Sequence, residues 1–277
     1  CRLPSQPIKG MVYKKENKLI GEFQEGELVD LDSLPFPYKK PLYSRFKSFS
    51  KEYFIITSRG CPYNCSYCYK GGVASLGGGH IWRPFGVDRI MKEVNHLNDR
   101  YGFDIFEITD ENFIYQPRRA IELIRNFKSK GYRISAIRSN FLTYKDEVIT
   151  ELRGFCDYVA YSPETGSQRI QAILNKKADY QKMELLNAKL RDMGICTIHT
   201  FIFGFPFETD EDIKATVDLC KRFKNINPAC RMAIYQYMPY PGAFLTLMMV
   251  SKYDLVLPER FEDWSKSDMY GELDLKF

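Results

Sequence analysis

Tyr53-Phe-Ile-Ile-Thr-Ser58, followed at once by Cys61-Pro-Tyr-Asn-Cys65-Ser-Tyr-Cys68, is the stretch around which the rest of the chain is organised. Its first six residues are largely β-branched or aromatic, the composition of a buried strand, and they deliver the cysteines at the strand's C-terminal end. Three thiols within eight residues call for a metal centre. A structural zinc site takes four protein ligands, as does an ordinary iron-sulfur cluster held by Cys thiolates. The nearest further cysteine is Cys156, so the local set stops at three. One metal position is left open, which suits a catalytic site better than a structural one.

Downstream, a regular alternation sets in. Val87, Ile90, Met91, Val94 and Leu97 recur at helical spacing, and residues 104–109 read as a short strand. Pro117 opens a second helix where its missing N–H costs nothing, with Ile121, Ile124 and Phe127 on one face. Strands are expected at 132–137, 157–161, 195–203 and 232–237, with a short helix marked by Val148, Ile149 and Leu152 between the first two. Asp179 is placed to cap a helix carrying Met183, Leu186, Leu190 and Met193, with Gly194 just past its end. Thr209 with Asp212 has the form of a capping box ahead of Ile213, Val217, Cys220 and Phe223. Six strands alternating with helices predict an α/β fold with a parallel sheet and right-handed crossovers. No dinucleotide glycine fingerprint follows any strand, so a Rossmann reading has no site to support it.

In β/α barrels the functional residues lie at strand C-terminal ends. The second strand ends in Asp110-Glu111-Asn112, the third in Arg138-Ser-Asn140, and the fourth in Ser162-Pro-Glu164-Thr-Gly-Ser167. The fifth ends in Gly204-Phe-Pro-Phe-Glu208 and the sixth in Gln236-Tyr-Met-Pro-Tyr-Pro-Gly242. Each also has a bland reading: Asp110 with Asn112 as an Asx turn, Arg138 as a surface cation, Glu164 as the start of a helix. His199 is expected to pack beside its strand, because no second histidine or cysteine stands at ligand spacing. Gly71-Gly72 and Gly77-Gly78-Gly79 after the cysteines either let the backbone approach a ligand or form a floppy loop.

Composition narrows the class. The 277 residues suffice for one large core, since α/β barrels run to roughly 200 to 250 residues as one domain. The 40 Lys and Arg against 35 Asp and Glu leave a charge of +5, a weak case for a nucleic-acid partner. No apolar run approaches the roughly 18 residues that span a bilayer, so a soluble, cytoplasmic protein is expected. Of eight cysteines, five stand singly and are expected to be free thiols. Because position 1 is Cys1, further sequence upstream is expected. Residues 1–50, with a hairpin-like start and the Pro-rich Leu31-Asp-Ser-Leu-Pro-Phe-Pro37, read as a linker or lead-in, 51–245 as the core, and 246–277 as a C-terminal extension.

The Cys-x3-Cys-x2-Cys spacing, with an aromatic residue before the last cysteine, resembles the radical S-adenosylmethionine enzymes. Asp110-Glu-Asn-Phe113, Glu164-Thr-Gly-Ser167, Lys176, the run from Phe201 to Glu208 and Tyr240-Pro-Gly242 are similar to the pattern of the cobalamin-binding branch. The lead-in is similar to the connector that follows that branch's N-terminal cobalamin domain, although no such domain is evident in this chain.

The resemblance implies a partial (β/α)6 TIM-like barrel. It makes Cys61, Cys65 and Cys68 ligands of a [4Fe-4S] cluster whose fourth iron is chelated by S-adenosylmethionine, and reductive cleavage would yield a 5′-deoxyadenosyl radical. It puts Tyr67 by the adenine, Asp110, Glu111 and Asn112 by the methionine amino group, Arg138 on its carboxylate and Glu164 on the ribose. Ile202 and Gly204 match a segment packed on adenine, and Gln236 completes the pocket. The expected activity is cobalamin-dependent methylation of an unactivated centre, fed by an external donor of flavodoxin or ferredoxin type. A cobalamin-independent enzyme, such as a methylthiotransferase or mutase, stands as the alternative. An electron-transfer or zinc-binding module stands as a third. The substrate is not legible.

Overall fold

The structure of the protein, a computed structural model, describes residues 12–15, 18–21, 28–37, 52–70, 82–258 and 261–264. The glycines at 71, 72 and 77–79 lie outside them, as does the chain beyond 264. In chain order, β1 (Tyr13–Lys15) and β2 (Lys18–Ile20) form an antiparallel pair, β3 (Glu52–Ile55) enters the main sheet, and β4 (Ser58–Arg59) pairs antiparallel with β5 (Arg83–Pro84). Then come α1 (Val87–Tyr101), β6 (Ile105–Ile108), α2 (Pro117–Ser129), β7 (Arg133–Arg138), α3 (Asp146–Leu152) and β8 (Cys156–Glu164). The chain continues through α4 (Gln168–Ile173), α5 (Tyr180–Asp192), β9 (Cys196–Phe203), α6 (Asp210–Ile226), β10 (Arg231–Gln236), α7 (Phe244–Tyr253) and α8 (Phe261–Trp264).

The main sheet has six strands in the order β10-β9-β8-β7-β6-β3, each parallel to its neighbour. Strand order follows chain order without doubling back. The sheet is therefore a run of successive β/α units, a partial barrel left open between β3 and β10. Side-chain alternation gives each strand one face for the helices and one for the lumen. In β6, Phe106 and Ile108 are fully buried while Ile105 and Glu107 are only partly covered. The core lies on the helix side, where Phe106, Ile134, Val159 and Phe201 meet Val94, Leu123, Phe127, Leu190 and Phe223.

Local signals set the helix starts. Asp179 accepts from the Lys182 N–H at the head of α5, and Thr209 and Asp212 cap α6 reciprocally. Two elements depart from the sequence reading. The first strand stops at Ile55, because both the N–H and the hydroxyl of Thr57 are taken by Asp110 rather than by a neighbouring strand. The fourth runs on to Glu164, with a register shift against β9 after Tyr161.

The lead-in is fastened to the core over the stretch the structure describes. Leu31 is buried in the main core, Asp32 accepts from the Gly86 N–H at 2.8 Å, and Arg89 donates to the Leu34 carbonyl. Among the described residues no helix is long and apolar enough to cross a membrane.

Candidate functional site

The cysteine loop begins just after β4, and the passage from β3 of the main sheet into β4 is built around Asp110. Its carboxylate accepts from the Thr57 N–H (2.6 Å), the Thr57 hydroxyl (2.7 Å) and the Ser58 hydroxyl (2.5 Å). Arg119 donates to the carbonyls of Thr57 and Phe85, and its charge offsets that of Asp110. Asp110 is thus neither an Asx cap nor a free side chain; it anchors the strand before the cysteines.

Further along, the loop is held from two other sides. The Ser66 N–H and hydroxyl donate to Leu174 (2.9 Å) and Ile173 (2.8 Å), and the Asn175 amide donates to the Asn64 carbonyl (2.7 Å). From the start of α7, the Leu245 N–H donates to the Ser66 carbonyl (2.8 Å). Residues 64–66 therefore depend on segments more than a hundred positions away.

Cys61, Cys65 and Cys68 are free, half-buried thiols on one wall of a cavity of about 500 Å³. Burial raises all three thiols, Cys65 to about 11, against the opposing pull of Lys176 on Cys65 and Lys70 on Cys61. Lys70 is itself paired with Glu111 at 2.7 Å. The same cavity is lined by Tyr67, Asp110, Glu111, Asn112, Arg138 and Glu164, so six of the side chains read from strand ends and loop meet the thiols. Asn112 accepts from the Asn140 N–H, joining the ends of β6 and β7. Arg138 pairs with Glu107 at 2.9 Å across the sheet, its guanidinium still half exposed to the cavity.

Glu164 is the most constrained group in the wall. Its φ is +68°, a region that costs a non-glycine residue on the order of 1–3 kcal/mol. Oε1 accepts from the Tyr67 hydroxyl (2.6 Å) and from Lys176 Nζ (2.6 Å). Oε2 is buried and has no partner among the described residues. The strand end is pinned just beyond, where Thr165 shares a hydrogen bond with Thr216 and the Gly166 N–H donates to Thr216 Oγ1.

Ile202, Gly204 and Gln236 do not line the cavity. Ile202, like Tyr67, packs at the edge of a second apolar cluster, and Gly204, at φ +82°, lies against Gln236. The wall on that side is made by alternate residues of the last two strands, Ile198 and Thr200 of β9 and Ala233 and Tyr235 of β10. Period-two alternation back from Ile202 would have found Thr200 and Ile198. Lys70, also in the wall, carried no signal beyond its place after Cys68. His199 packs between Tyr161 and Phe223 in the core, as its isolation suggested.

The donor set fits a cluster. Among the described residues no three His, Cys, Asp or Glu side chains are gathered closely enough to hold a single metal ion. A [4Fe-4S] cluster asks for one thiolate on each of several irons, and three half-buried thiols facing a single cavity suit that requirement.

A family model described as the radical SAM superfamily matches residues 55–220. An uncharacterized methyltransferase of Pyrococcus horikoshii is 29% identical over 242 residues, covering 86% of this chain and 51% of the relative. Cytidylyl-2-hydroxyethylphosphonate methyltransferase of Streptomyces wedmorensis is 28% identical over 213 residues, 68% of this chain and 38% of that one. The chain spans about half or less of the length of these relatives. Among solved structures, the cobalamin-dependent S-adenosylmethionine radical enzyme OxsB, with aqua-cobalamin and S-adenosylmethionine bound, superposes with a TM-score of 0.65 at 17% identity. That match covers 91% of this chain and 36% of OxsB, and the likeness is one of fold.

Proposed function

The chain belongs to the radical SAM superfamily, and from that premise we propose that it is the catalytic core of a cobalamin-dependent methyltransferase acting on an unactivated centre. The family uses a [4Fe-4S] cluster and S-adenosylmethionine and needs an electron donor. The observation that carries the reading is the convergence, in one cavity, of three thiols with a guanidinium and a carboxylate from separate strand ends.

Cys61, Cys65 and Cys68 would hold the cluster, which when bound supplies one low-potential electron to the sulfonium. The chain's own groups do the positioning. Arg138 offers a planar pair of donors to the methionine carboxylate. Glu111 and Asn112, which line the same cavity, would receive the methionine amino group. Glu164, whose Oε1 is held by Tyr67 and Lys176, would meet the ribose hydroxyls. Asp110 spends its oxygens on Thr57 and Ser58, so its contribution to the amino group is through the turn it fixes.

Methyl transfer rests on the methyltransferases named above, and cobalamin on the lead-in pattern and on the fold neighbour OxsB. In this reading residues 1–50 are a connector, 51–245 the barrel and 246–277 an extension, with a cobalamin-binding unit elsewhere in the whole protein. A flavodoxin or ferredoxin would supply the electron, in the cytoplasm.

The test is anaerobic purification followed by metal analysis and turnover. Iron and sulfide near four each are expected, with 5′-deoxyadenosine formed on adding S-adenosylmethionine and a strong reductant. Stoichiometric zinc would overturn the cluster. No cobalamin in the intact protein after expression with ample supply would remove methyl transfer in favour of cobalamin-independent radical chemistry.

A further inference from the structure

Resting on the reading that Cys61, Cys65 and Cys68 hold a cluster reduced from outside, we propose that the outer face of α7 is the docking surface for the electron donor, a small acidic redox protein. One electron leaves the reduced donor, which is oxidised by one, and enters the cluster; no bond is made or broken.

α7 is apolar nearly all round, its first charge coming at Lys252, a pattern that belongs to a covered helix. Leu245, Thr246 and Met249 are buried on its inner side. Phe244, Leu247 and Val250, three residues apart along the outer face, are nevertheless 65%, 53% and 40% exposed. An apolar stripe of that kind marks a binding surface. It is joined to the cysteine loop at two points. The N–H of Leu245, next to Phe244, donates to the carbonyl of Ser66 at 2.8 Å, and Ser66 follows Cys65 directly. Tyr240, itself exposed, sets its ring 6.0 Å from that of Tyr69, the residue after Cys68. Neither Phe244 nor Leu247 lines the cavity, so a partner seated on them meets the loop from a side the ligand does not occupy.

That location decides among occupants. A substrate has to reach the cavity, whereas an electron donor has only to come close to the cluster. Redox encounters use small interfaces, under about 1,200 Å², and a protein interface has an apolar centre inside a polar rim. The rim here also carries a sign. Lys252 and Lys177, the latter two residues past the Asn175 that holds Asn64, are exposed and in no ion pair among the described residues, against Asp254 of opposite charge. Arg169, beside Tyr253, is held by Asp212. The net charge of the whole chain, +5, has the same sign and draws an acidic partner in.

The experiment measures the rate of cluster reduction in the anaerobically reconstituted full chain, read from the fall in its visible absorbance. Two kinds of reductant are compared: dithionite, and a pre-reduced flavodoxin or [2Fe-2S] ferredoxin. Leu247→Asp and Phe244→Asp are expected to slow reduction by the protein donor about tenfold, while dithionite acts within about twofold of its wild-type rate. Lys177→Glu combined with Lys252→Glu should slow the protein donor and flatten its salt dependence between about 50 and about 500 mM. Leu185→Asp, which alters a still more exposed leucine on α5, is the control and keeps both rates. A protein-donor rate kept by Leu247→Asp, or lost as fully in Leu185→Asp, overturns the docking surface. Equal losses with both kinds of reductant overturn it too, because the stripe is then covered by the protein's own chain. Wild type reduced by dithionite but by neither protein overturns the docking surface and leaves the cluster standing. Wild type that loads no iron overturns the functional reading itself.

Discussion

Gly166 sits against the backbone of Ala215: a Cβ added to the glycine would stand 2.2 Å from the Ala215 carbonyl oxygen and 2.8 Å from the Thr216 Cα. Backbone cannot yield as a side-chain tip can. The contact holds the end of β8 against α6, two residues after Glu164.

Gly166→Ala should therefore push the strand end and α6 apart, with a loss of stability of about 1–3 kcal/mol from overpacking. The Thr165–Thr216 hydrogen bond would be stretched in the same movement. Chemical denaturation gives the difference. A variant as stable as wild type would mean that the two elements are not in this contact.

Asp110→Ala removes the acceptor for three donors at once, two of them on Thr57. Leaving buried donors unpaired is expected to cost about 3 kcal/mol. Because the carboxylate faces the strand exit, Asp110→Asn should bind S-adenosylmethionine within about threefold of wild type in the fraction that folds with iron. A loss of affinity with normal stability would reverse that assignment and give Asp110 a direct contact.

What could be read in the sequence was local. The β-branched runs of β6 and β9, the Thr209–Asp212 capping box and the cysteine spacing each declare themselves within a few residues, and the six parallel strands follow from their alternation. What stayed hidden depends on separation. Nothing near Thr57 announces that Asp110, 53 residues on, will interrupt its strand. Nothing at Glu164 announces a left-handed backbone, nor that Gly166 two residues on will pack against a distant helix. Lys176 was visible as part of a family pattern, and its contact with Glu164 needed the α4 turn in three dimensions. Ile202 and Gln236 stand near the ends of β9 and β10, whereas the cavity takes Ile198 and Thr200 from β9 and the alternate positions Ala233 and Tyr235 from β10.

Arg138 and Glu107 give opposite expectations from one ion pair. Arg138→Met should weaken binding of S-adenosylmethionine about tenfold, because a charged donor to the carboxylate is lost. Glu107 competes for the same guanidinium at 2.9 Å. Glu107→Gln should therefore tighten binding, by about threefold for a pair whose guanidinium is half exposed. Isothermal titration with the iron-loaded chain measures both. If the two variants weaken binding equally, Glu107 orients Arg138 instead of competing with it.

His199 weakens the fold in acid. Its ring is fully buried between Tyr161 and Phe223, with centroids 4.6 Å and 4.4 Å away, and neither nitrogen has a partner among the described residues. Burial lowers its pKa to about 3, against an ordinary value of 6.5. The folded imidazole thus stays neutral while the unfolded one takes a proton, and stability falls as pH drops from 6.5 toward 3. At pH 5 the gap of about 1.5 units corresponds to about 2 kcal/mol. His199→Leu lacks this proton uptake but keeps the other groups. The stability of wild type relative to His199→Leu should therefore fall by about 2 kcal/mol between pH 7.5 and pH 5 in urea titrations. Parallel pH profiles for the two proteins would show that the ring is protonated as readily in the fold as in the open chain, and that its pocket admits water.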